Sequence, residues 1–390
     1  MTGTGKTLIY LLPILQKLSV DPVGITAIVF SPTRELAIHI FQQFEFYGKN
    51  INLRCCLITG GVDSIKQSLE IDKIPHVIVA TPGRFYEMVE RNETLRKFVK
   101  NLKFLVLDEF DQLLNETLLY YIKKSLEYFP LKKQLILTTA TFAEEANHID
   151  KLRDEFYINT DALNIINKNQ QIQIVDTLSH SYIFVPYLFK DYYFLHILQK
   201  HCETIEKNDL NRSIIVFFKN CKDCHFWYKL LKSMKIKCVQ IHSFMKQEKR
   251  TRNLLAFKEG RVSVMLATDL GARGLDIRAV EWVINYNFPN DYRSYIHRAG
   301  RAARGGERGH CLSILTQYDT ENFKEMEKHI HTKPSIYKTD EEDEVMKCMN
   351  RLDKLKRKVK INFLVKGVDE KFKDIKKSKM KFRKQIKQNN

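Results

Sequence analysis

The sequence lacks any uninterrupted apolar run of about 18 residues and any N-terminal apolar signal segment, so it predicts neither a membrane-spanning helix nor a secreted protein. It has little cysteine for its length, with eight cysteines scattered over 390 residues. This usage predicts reduced thiols, as in the cytosol or nucleus. Cys221 and Cys224 precede His225 at zinc-site spacing, but no second such pair follows, which favours ordinary core or surface residues.

Acidic residues are scarce near the carboxyl end of the chain. Residues 351–390 hold 16 Lys or Arg against four Asp or Glu, and they supply +12 of the formal net charge of +18. This excess predicts a polyanionic partner, most simply a nucleic acid, with an anionic membrane surface as an alternative. The tail is predicted to be helical or disordered, and a solubilising or nuclear-import role is a second reading.

An apolar run, Leu105–Leu107, ends in three carboxylates within four residues: Asp108, Glu109 and Asp111. This pattern is typical of a buried parallel strand with chemistry at its carboxyl end. Two adjacent acids suit a Walker-B site, in which Asp108 holds a hydrated Mg²⁺ and Glu109 orients or deprotonates the attacking water. Taken alone, an acidic helix N-cap explains the acids equally well.

The first residues of the chain read Gly3-Thr4-Gly5-Lys6-Thr7, followed by apolar residues at helical spacing. Glycines let backbone N–H groups approach phosphates, the lysine reaches the β- and γ-phosphates, and the threonine hydroxyl binds Mg²⁺. The segment therefore predicts a P-loop. The strand that usually precedes such a loop is not in the sequence, so a chance glycine-rich start is the alternative reading.

Three further predicted strands end in turn residues that open a helix, at 31–37, 58–61 and 81–84, and a strand at 134–141 ends in hydroxyl residues. Strands alternating with helices over 1–158 predict a doubly wound parallel sheet with its sites at the carboxyl ends of the strands. The turns as a set suggest contacts to a nucleic-acid backbone.

The second half repeats the α/β alternation without a second P-loop, so we expect it to assist the nucleotide of the first half. Its strands are predicted at 213–218, 238–242, 262–269, 282–286 and 310–315. Arg301 and Arg304 lie one helical turn apart, a spacing that suits arginine fingers on a γ-phosphate. A solvated basic face is the alternative.

Together these motifs resemble the DEAD-box ATP-dependent RNA helicases of superfamily 2. The resemblance covers residues 1–335 and rests on GTGKT, PTRELA, GG, TPGR, DEFD, TAT, QEKR, ATDLGARGLDI and HRAGRAARGG. It implies an α/β protein with two tandem RecA-like doubly wound domains and a basic helical or disordered tail. The implied parts are a truncated ATP-binding domain (1–158), a linker (159–179), a C-terminal helicase domain (180–335) and a basic extension (336–390).

The resemblance also implies functional residues, with ATP and Mg²⁺ as cofactors. The triphosphate cradle is Gly3, Thr4, Gly5, Lys6 and Thr7; the metal ligands are Thr7 and Asp108; Gly274 and Asp276 line the cleft and contact the ribose. The catalytic set is Lys6, Asp108, Glu109, His297, Arg301 and Arg304, and the set coupling nucleotide state to the second domain is Asp111, Thr139 and Thr141.

RNA is the implied partner, held by its phosphates and riboses. The implied contacts are Pro32, Thr33, Arg34, Gly61, Thr81, Gly83, Arg84, Gln247, Arg250 and Thr268. Within the family the sequence looks like the nucleolar helicases of small-subunit rRNA maturation. That resemblance implies a monomer in the nucleus and nucleolus, acting on pre-rRNA with ribosome-assembly proteins as further partners.

The sequence departs from the family pattern at several points. The adenine-reading segment upstream of the P-loop is missing, Phe110 and Thr139 replace alanine and serine, and Ala303 replaces a glycine. An incomplete gene model is the favoured explanation for the missing segment, because the downstream catalytic residues are intact. A paralogue without nucleotide selectivity is the alternative. A non-catalytic RNA-binding scaffold and a DNA helicase are the rival functions.

Overall fold

A computed structural model describes residues 5–139, 177–208, 213–272, 280–302, 308–330, 333–339 and 342–365, with 367, 368, 370, 372 and 374. The described residues divide into two compact units, the first containing residues 5–139 and the second containing those from 177 onwards. Each unit is built on a parallel β-sheet. In the described part of the chain, no helix is both long and apolar enough to cross a membrane.

The first unit has a five-stranded parallel sheet in the order β2-β3-β1-β4-β5. Its strands are β1 (Ala27–Phe30), β2 (Cys55–Ile58), β3 (Val77–Ala80), β4 (Phe104–Leu107) and β5 (Gln134–Leu137). Its helices are α1 (Lys6–Val20), α2 (Arg34–Gly48), α3 (Ser64–Asp72), α4 (Pro82–Arg91), α5 (Glu93–Phe98), α6 (Phe110–Leu113) and α7 (Glu116–Leu126).

The central strands β1 and β3 are buried along their whole length. Successive side chains point to opposite faces, so Ile28 and Phe30 lie in one apolar cluster and Ala27 and Val29 in the other. Burial on both faces explains why these strands read as continuous apolar runs rather than as alternating patterns.

The second unit has a seven-stranded sheet in the order β12-β6-β11-β10-β7-β9-β8, with all pairs parallel. Its strands are β6 (Leu178–Phe184), β7 (Ile214–Phe218), β8 (Cys238–Ile241), β9 (Val264–Thr268), β10 (Trp282–Asn285), β11 (Gly309–Leu315) and β12 (Ser335–Ile336). Its helices are α8 (Lys190–Asn208), α9 (Cys221–Ser233), α10 (Gln247–Lys258), α11 (Asp269–Ala272), α12 (Tyr292–Ala299), α13 (Thr320–His329) and α14 (Glu342–Val365).

Two parallel-sheet α/β units confirm the predicted fold class. Strand β6 was missed, because Ser179, His180 and Ser181 give it a polar sequence, and its first two residues fall within the predicted linker 159–179. The boundary predicted at residue 158 lies outside the described residues. The cysteines of the considered zinc pattern separate, since Cys224 is fully buried in the apolar core while Cys221 contacts Ser243 with its sulfur 3.6 Å from the hydroxyl oxygen.

The basic tail begins with a helix packed onto the second unit. Val345, Leu352, Val359 and Phe363 recur at helical spacing along α14 and are buried in the same apolar cluster as α8 and α9. Lys356 of α14 also forms a 2.5 Å ion pair with Asp191. The sequence predicted a helical or a disordered tail, and residues 342–365 of this tail are helical.

Leu352→Ala should destabilise the second unit, because Leu352 is fully buried. We expect the free energy of unfolding to fall by about 2–5 kcal/mol, the usual cost of a buried leucine-to-alanine cavity. Both tryptophans, Trp227 and Trp282, lie in this unit, so tryptophan fluorescence in urea reports its unfolding alone.

The matched control is Met346→Ala on the same helix, because Met346 is 55% exposed. We expect it to change the free energy of unfolding by no more than about 0.5 kcal/mol. Equal unfolding midpoints for the two variants would show that α14 is not docked in solution.

Candidate functional site

Most of the sequence motifs of the first unit lie at one edge of its sheet. Since β1 to β5 all run in the same direction, the residues that follow each strand meet at the carboxyl edge. These segments are 31–34, 59–61, 81–84, 108–111 and 138–139. Topology alone therefore places the predicted RNA residues of this half, together with Asp108, Glu109 and Asp111, at one edge of the sheet.

The described part of the P-loop opens helix α1. Gly5 is in the left-handed region, with φ 75° and ψ 15°, a conformation that favours glycine. The Gly5 carbonyl accepts hydrogen bonds from the N–H groups of Leu8 at 3.0 Å and Ile9 at 3.2 Å, so the helix starts directly after the turn. The first N–H groups of a helix have no partner within it and suit an anion.

Lys6 is the first residue of α1 and lies within the field of Asp108, Glu109 and Asp111. Burial lowers the pKa of Lys6, and the three carboxylates oppose this effect. Lys6 and the acidic motif, which the sequence predicts to act at one site, lie close to each other in the first unit. Gly3 and Thr4, the other predicted cradle residues, lie outside the described residues.

Asp108 is buried, with 5% of its surface exposed. Its Oδ1 accepts hydrogen bonds from the hydroxyl of Thr138 and, at 3.0 Å, from the N–H of Glu109. Its Oδ2 accepts one from the hydroxyl of Tyr10 at 3.2 Å. Burial raises the pKa of Asp108, while these hydrogen bonds and the charge of Lys6 favour the ionised form.

Tyr10 and Thr138 were not identified as site residues from the sequence. Tyr10 occupies an apolar helix position and is 1% exposed, so the sequence pattern describes it as a core residue. Burial, followed by the charge of Asp108, raises its pKa well above the usual value, so its hydroxyl keeps its proton and donates. Only the tertiary structure shows that its hydroxyl reaches a carboxylate 98 residues away.

The donor atoms at this edge fit a magnesium ion. An ionised carboxylate offers about four lone-pair sites, and the three hydrogen bonds to Asp108 leave capacity for a cation. The described residues contain no cluster of three or more His, Cys, Asp or Glu side chains suited to a metal. Mg²⁺ in nucleotide sites is usually held by one or two protein oxygens together with water and phosphate oxygens.

Glu109 stands at the turn between β4 and α6 in the left-handed region, with φ 49° and ψ 52°. This conformation is costly for a residue with a side chain and is often found at functional sites. The side-chain amide of Gln112 donates to Glu109 Oε2 at 2.6 Å and restricts the carboxylate. Gln112 is therefore a third residue at this edge, after Tyr10 and Thr138, that the sequence did not indicate.

Asp111 and Thr139, two predicted coupling residues, contact each other. The Thr139 hydroxyl donates to Asp111 Oδ1 at 3.0 Å, which links the ends of β4 and β5. Thr141, the third, lies outside the described residues. Phe110, the departure from the family pattern, is 4% exposed and belongs to the apolar core, so its larger ring is accommodated there.

The turns after β1 and β2 pack against each other. Thr33 caps α2 by accepting a hydrogen bond from the N–H of Leu36 at 3.3 Å. The guanidinium of Arg34 covers Gly60 so closely that a Cβ at Gly60 would lie 2.7 Å from Arg34 Nη2. Pro32 and Thr33 precede Arg34 in the chain and Gly61 follows Gly60, so this contact brings together the two turns that carry these four predicted RNA residues.

The turn after β3 is anchored through Arg84. Its Nε donates to Gln67 Oε1 at 2.9 Å, and Gln67 in turn donates to the carbonyl of Thr59 at 2.8 Å. Thr81 begins α4 without using its side chain as a cap, and Gly83 lies under the ring of Tyr121. Gln67, which is 3% exposed, was missed because nothing in the sequence distinguishes it from a surface glutamine.

In the second unit, the predicted RNA residues lie at two neighbouring strand ends. Gln247 and Arg250 are in the first turn of α10, which follows β8, and Thr268 ends the adjacent strand β9. The Thr268 hydroxyl is buried and has no hydrogen-bond partner within the described ranges. Two parallel strands thus bring residues about twenty positions apart to one edge.

A buried arginine, Arg298, organises the segment that contains His297 and Arg301. Its guanidinium forms a bidentate ion pair with Asp269, at 2.5 Å and 2.7 Å, and donates to Asn285 Oδ1 at 3.0 Å. Neither Arg298 nor Asp269 was singled out from the sequence, although both lie inside quoted motifs. Arg301 is 5% exposed, and Gly274, Asp276 and Arg304 lie outside the described residues.

Asp269→Asn should destabilise the second unit, because it leaves the 3% exposed Arg298 without its charged partner. Hydrogen bonds to charged groups contribute about 1.5–3 kcal/mol each to stability, and we expect a loss of that size. Glu325→Gln, which removes an exposed carboxylate of α13, is the control and should have almost no effect. Indistinguishable urea midpoints by tryptophan fluorescence would contradict the assigned ion pair.

Two family models match the chain. Residues 1–149 match the DEAD/DEAH box helicase family, and residues 195–306 match the helicase conserved C-terminal domain. These ranges contain the motif residues described above.

Curated relatives match over nearly the whole chain. "Probable ATP-dependent RNA helicase ddx49" of Dictyostelium discoideum is 39% identical over 366 residues, covering 93% of this chain and 68% of the relative. "Probable ATP-dependent RNA helicase DDX49" of Homo sapiens is 36% identical over 381 residues, covering 97% and 76%. "ATP-dependent rRNA helicase rrp3" of Botryotinia fuckeliana is 36% identical over 356 residues, covering 91% and 70%.

Solved structures share the fold. Saccharomyces cerevisiae Dbp5 bound to RNA and ADP BeF3 is 25% identical with a TM-score of 0.72, covering 90% of this chain and 87% of its own. Mss116p bound to single-stranded RNA and AMP-PNP is 25% identical with a TM-score of 0.72, covering 87% and 70%. The relatives, the family matches and the two-sheet fold lead to one conclusion: this chain belongs to the DEAD-box ATP-dependent RNA helicases.

Proposed function

We propose that this protein holds RNA by its backbone and couples ATP hydrolysis to local strand separation. The observation that carries the proposal is the convergence of Lys6, Asp108 and Glu109 at one sheet edge beside the turns at 31–34, 59–61 and 81–84. A nucleotide site and a row of backbone-binding turns are thereby built on the same five strands. The similar helicase structures are bound to RNA together with ADP BeF3 or AMP-PNP.

In this proposal, residues 1–158 are the ATP-binding domain and 180–335 the C-terminal helicase domain, joined by the linker 159–179 and followed by the extension 336–390. The matches at 1–149 and 195–306 support this division.

Hydrolysis requires that charge on the phosphates be neutralised and that a water be aligned with the γ-phosphate. Lys6 and the N–H groups at the start of α1 bind the phosphates, with Gly3 and Thr4 completing the cradle. Thr7 and Asp108 would hold Mg²⁺, which would supply further positive charge next to the phosphates. Glu109, restrained by Gln112, orients the attacking water and accepts its proton.

The second domain supplies the remaining groups. We assign Gly274 to the nucleotide cleft, Asp276 to the ribose, and Arg301 and Arg304 to the γ-phosphate, and we assign a coupling role to His297. Arginine fingers increase hydrolysis by about 10³–10⁵-fold where they have been measured. If ATP and RNA both favour the closed arrangement of the two domains, each must increase the affinity for the other.

Asp111, Thr139 and Thr141 transmit the nucleotide state to the second domain in this scheme. Phosphate and ribose contacts carry no sequence information, so a further set of residues is assigned to hold RNA without reading its bases. The assigned RNA residues are Pro32, Thr33, Arg34, Gly61, Thr81, Gly83, Arg84, Gln247, Arg250 and Thr268.

We further propose pre-rRNA as the substrate, in the formation of the small ribosomal subunit. The support is the relative named as an rRNA helicase, together with the net charge of +18. This role places the protein in the nucleus and nucleolus, acting as a monomer in contact with ribosome-assembly proteins.

Single-stranded RNA should stimulate the ATPase of the purified chain, and Lys6→Ala should abolish that activity. Glu109→Gln should also abolish hydrolysis while retaining ATP binding, because it keeps the shape but not the basicity of the carboxylate. Phosphate release with RNA, with DNA and without nucleic acid is the measurement.

Lys17→Ala is the matched control, since Lys17 is exposed on the same helix as Lys6 and should leave the rate unchanged. A rate that does not respond to RNA, or that survives Glu109→Gln, would refute the proposal and favour a non-catalytic scaffold. Equal stimulation by DNA would refute the RNA preference.

Tyr10→Phe should increase the Mg²⁺ concentration needed for half-maximal ATPase activity, because it removes one of three hydrogen bonds that position Asp108. A hydrogen bond to a charged group contributes about 1.5–3 kcal/mol, so we expect a shift of about tenfold. Tyr47→Phe, at a 42% exposed position on α2, is the control. An unchanged Mg²⁺ dependence would show that Tyr10 has no positioning role.

A further inference from the structure

One face of the second sheet is polar where helix α12 covers it. His180 of β6, Asn285 of β10 and Ser313 of β11 are all buried, with 5% or less of each residue exposed. The residues that precede two of them in the strands, Ile284 and Leu312, belong instead to the apolar cluster on the opposite face. Burying polar groups is costly unless they are hydrogen-bonded, so their partners have to be accounted for. None of the three polar positions belongs to a motif quoted above.

Tyr295 of α12 contacts this polar face through its hydroxyl. The hydroxyl oxygen lies 2.8 Å from Nδ1 of His180, and the centroids of the two rings are 5.8 Å apart. Tyr295 is 1% exposed, so water does not compete for this hydrogen bond. Nε2 of His180 has no hydrogen-bond partner among the residues that the structure describes. The imidazole therefore relies on the Tyr295 hydroxyl.

Both side chains of this contact are neutral near pH 7. Burial lowers the pKa of His180 to about 4. Burial also raises the pKa of Tyr295 well above its usual value. The contact is thus a hydrogen bond between uncharged groups in a site without water.

Arg298 fixes the same helix at a second point. Asn285 Oδ1 accepts a hydrogen bond from its guanidinium at 3.0 Å, and the side-chain amide of Asn285 donates to Ser313 Oγ at 3.1 Å. Tyr295 and Arg298 are three residues apart, so their side chains lie on one face of α12. The helix is consequently held against the sheet at two successive turns, once to β6 and once to β10.

His297 and Arg301 depend on how that helix is oriented. His297 lies between the two anchors in sequence, and the N–H of Arg301 donates to the carbonyl of Arg298 at 3.0 Å. A rotation of α12 would therefore move both residues. A misplacement of about 1 Å at a catalytic group can cost about a hundredfold in rate.

We propose that the hydrogen bond between His180 and Tyr295 positions His297 and Arg301 for the hydrolysis of ATP. His180 and Tyr295 are positioning residues, because their buried side chains act through α12. This inference rests on the proposed function, since it takes Arg301 to act on the γ-phosphate. It makes β6, a strand outside all the motifs, one of the elements on which the catalytic arrangement depends.

The test compares Tyr295→Phe with the parent in the full chain, at saturating ATP and RNA. The substitution removes only the hydroxyl, so the ring still packs between α12 and the sheet. We expect kcat of the RNA-stimulated ATPase to fall by about tenfold to a hundredfold. The affinities for ADP and for single-stranded RNA should not change, because ADP lacks the γ-phosphate on which Arg301 acts.

Tyr192→Phe is the matched control for the loss of a buried hydroxyl. Tyr192 is 8% exposed and packs in the apolar cluster on the other face of the same sheet, where its hydroxyl donates to Asp353 at 2.9 Å. Tyr192→Phe should lower the urea midpoint of tryptophan fluorescence about as much as Tyr295→Phe does. It should leave kcat unchanged.

Variants of His180 test the same contact from the strand. His180→Leu should lower kcat as Tyr295→Phe does, and His180→Asn, which keeps a polar group near the position of Nδ1, should restore part of the rate. The double variant of His180→Leu and Tyr295→Phe should lose no more than either single variant, because both substitutions remove one contact. If Tyr295→Phe does not fold, the two His180 variants supply the comparison.

A parent kcat in Tyr295→Phe or in His180→Leu overturns the proposal. An equal fall in Tyr192→Phe overturns it too, because the effect is then general destabilisation. A loss of ADP affinity as large as the loss of kcat assigns the contact to binding, and losses that multiply in the double variant show that the two residues act separately; both results overturn it. A parent without RNA-stimulated activity refutes the proposed function, whereas an active parent with equally active variants refutes this inference alone.

Discussion

The burial of Asp108 is the constraint on which the first unit's site depends. A carboxylate with 5% exposure is costly to ionise unless hydrogen bonds and positive charge compensate for lost water. Tyr10, Thr138 and the N–H of Glu109 supply the hydrogen bonds, and Lys6 supplies the charge. The same groups fix where the carboxylate points. Burial therefore makes Asp108 costly to ionise, and the hydrogen bonds that offset this cost also orient its carboxylate.

That arrangement requires three distant parts of the chain to meet. Helix α1 brings Lys6 and Tyr10, strand β4 brings Asp108, and strand β5 brings Thr138. They meet because β1, β4 and β5 are adjacent and parallel, with α1 packed on one face of the sheet. The apolar residues of these strands are therefore as necessary to the site as the polar ones.

The second unit also contains a buried charged side chain whose lost contact with water is compensated by hydrogen bonds, in this case an arginine. Arg298 is 3% exposed, and Asp269, Asn285 and the carbonyl of Asn287 satisfy its guanidinium. This network joins the ends of β9 and β10 to α12, the helix that carries His297. Helix α14 adds an apolar seam on another side of the same unit.

The sequence by itself determined the fold class, the family and the motifs, because apolar strand runs, glycine turns and adjacent acids are local patterns with strong physical meaning. Strand β6 was not predicted from the sequence, because its polar residues leave no clear apolar run or apolar–polar alternation. The partners Tyr10, Thr138, Gln67 and Arg298 were decided only by the tertiary structure. Each looks like an ordinary core or surface residue locally, and its role comes from a hydrogen bond that long-range packing creates. Sequence patterns record which residues are buried, whereas packing decides which buried polar atoms meet.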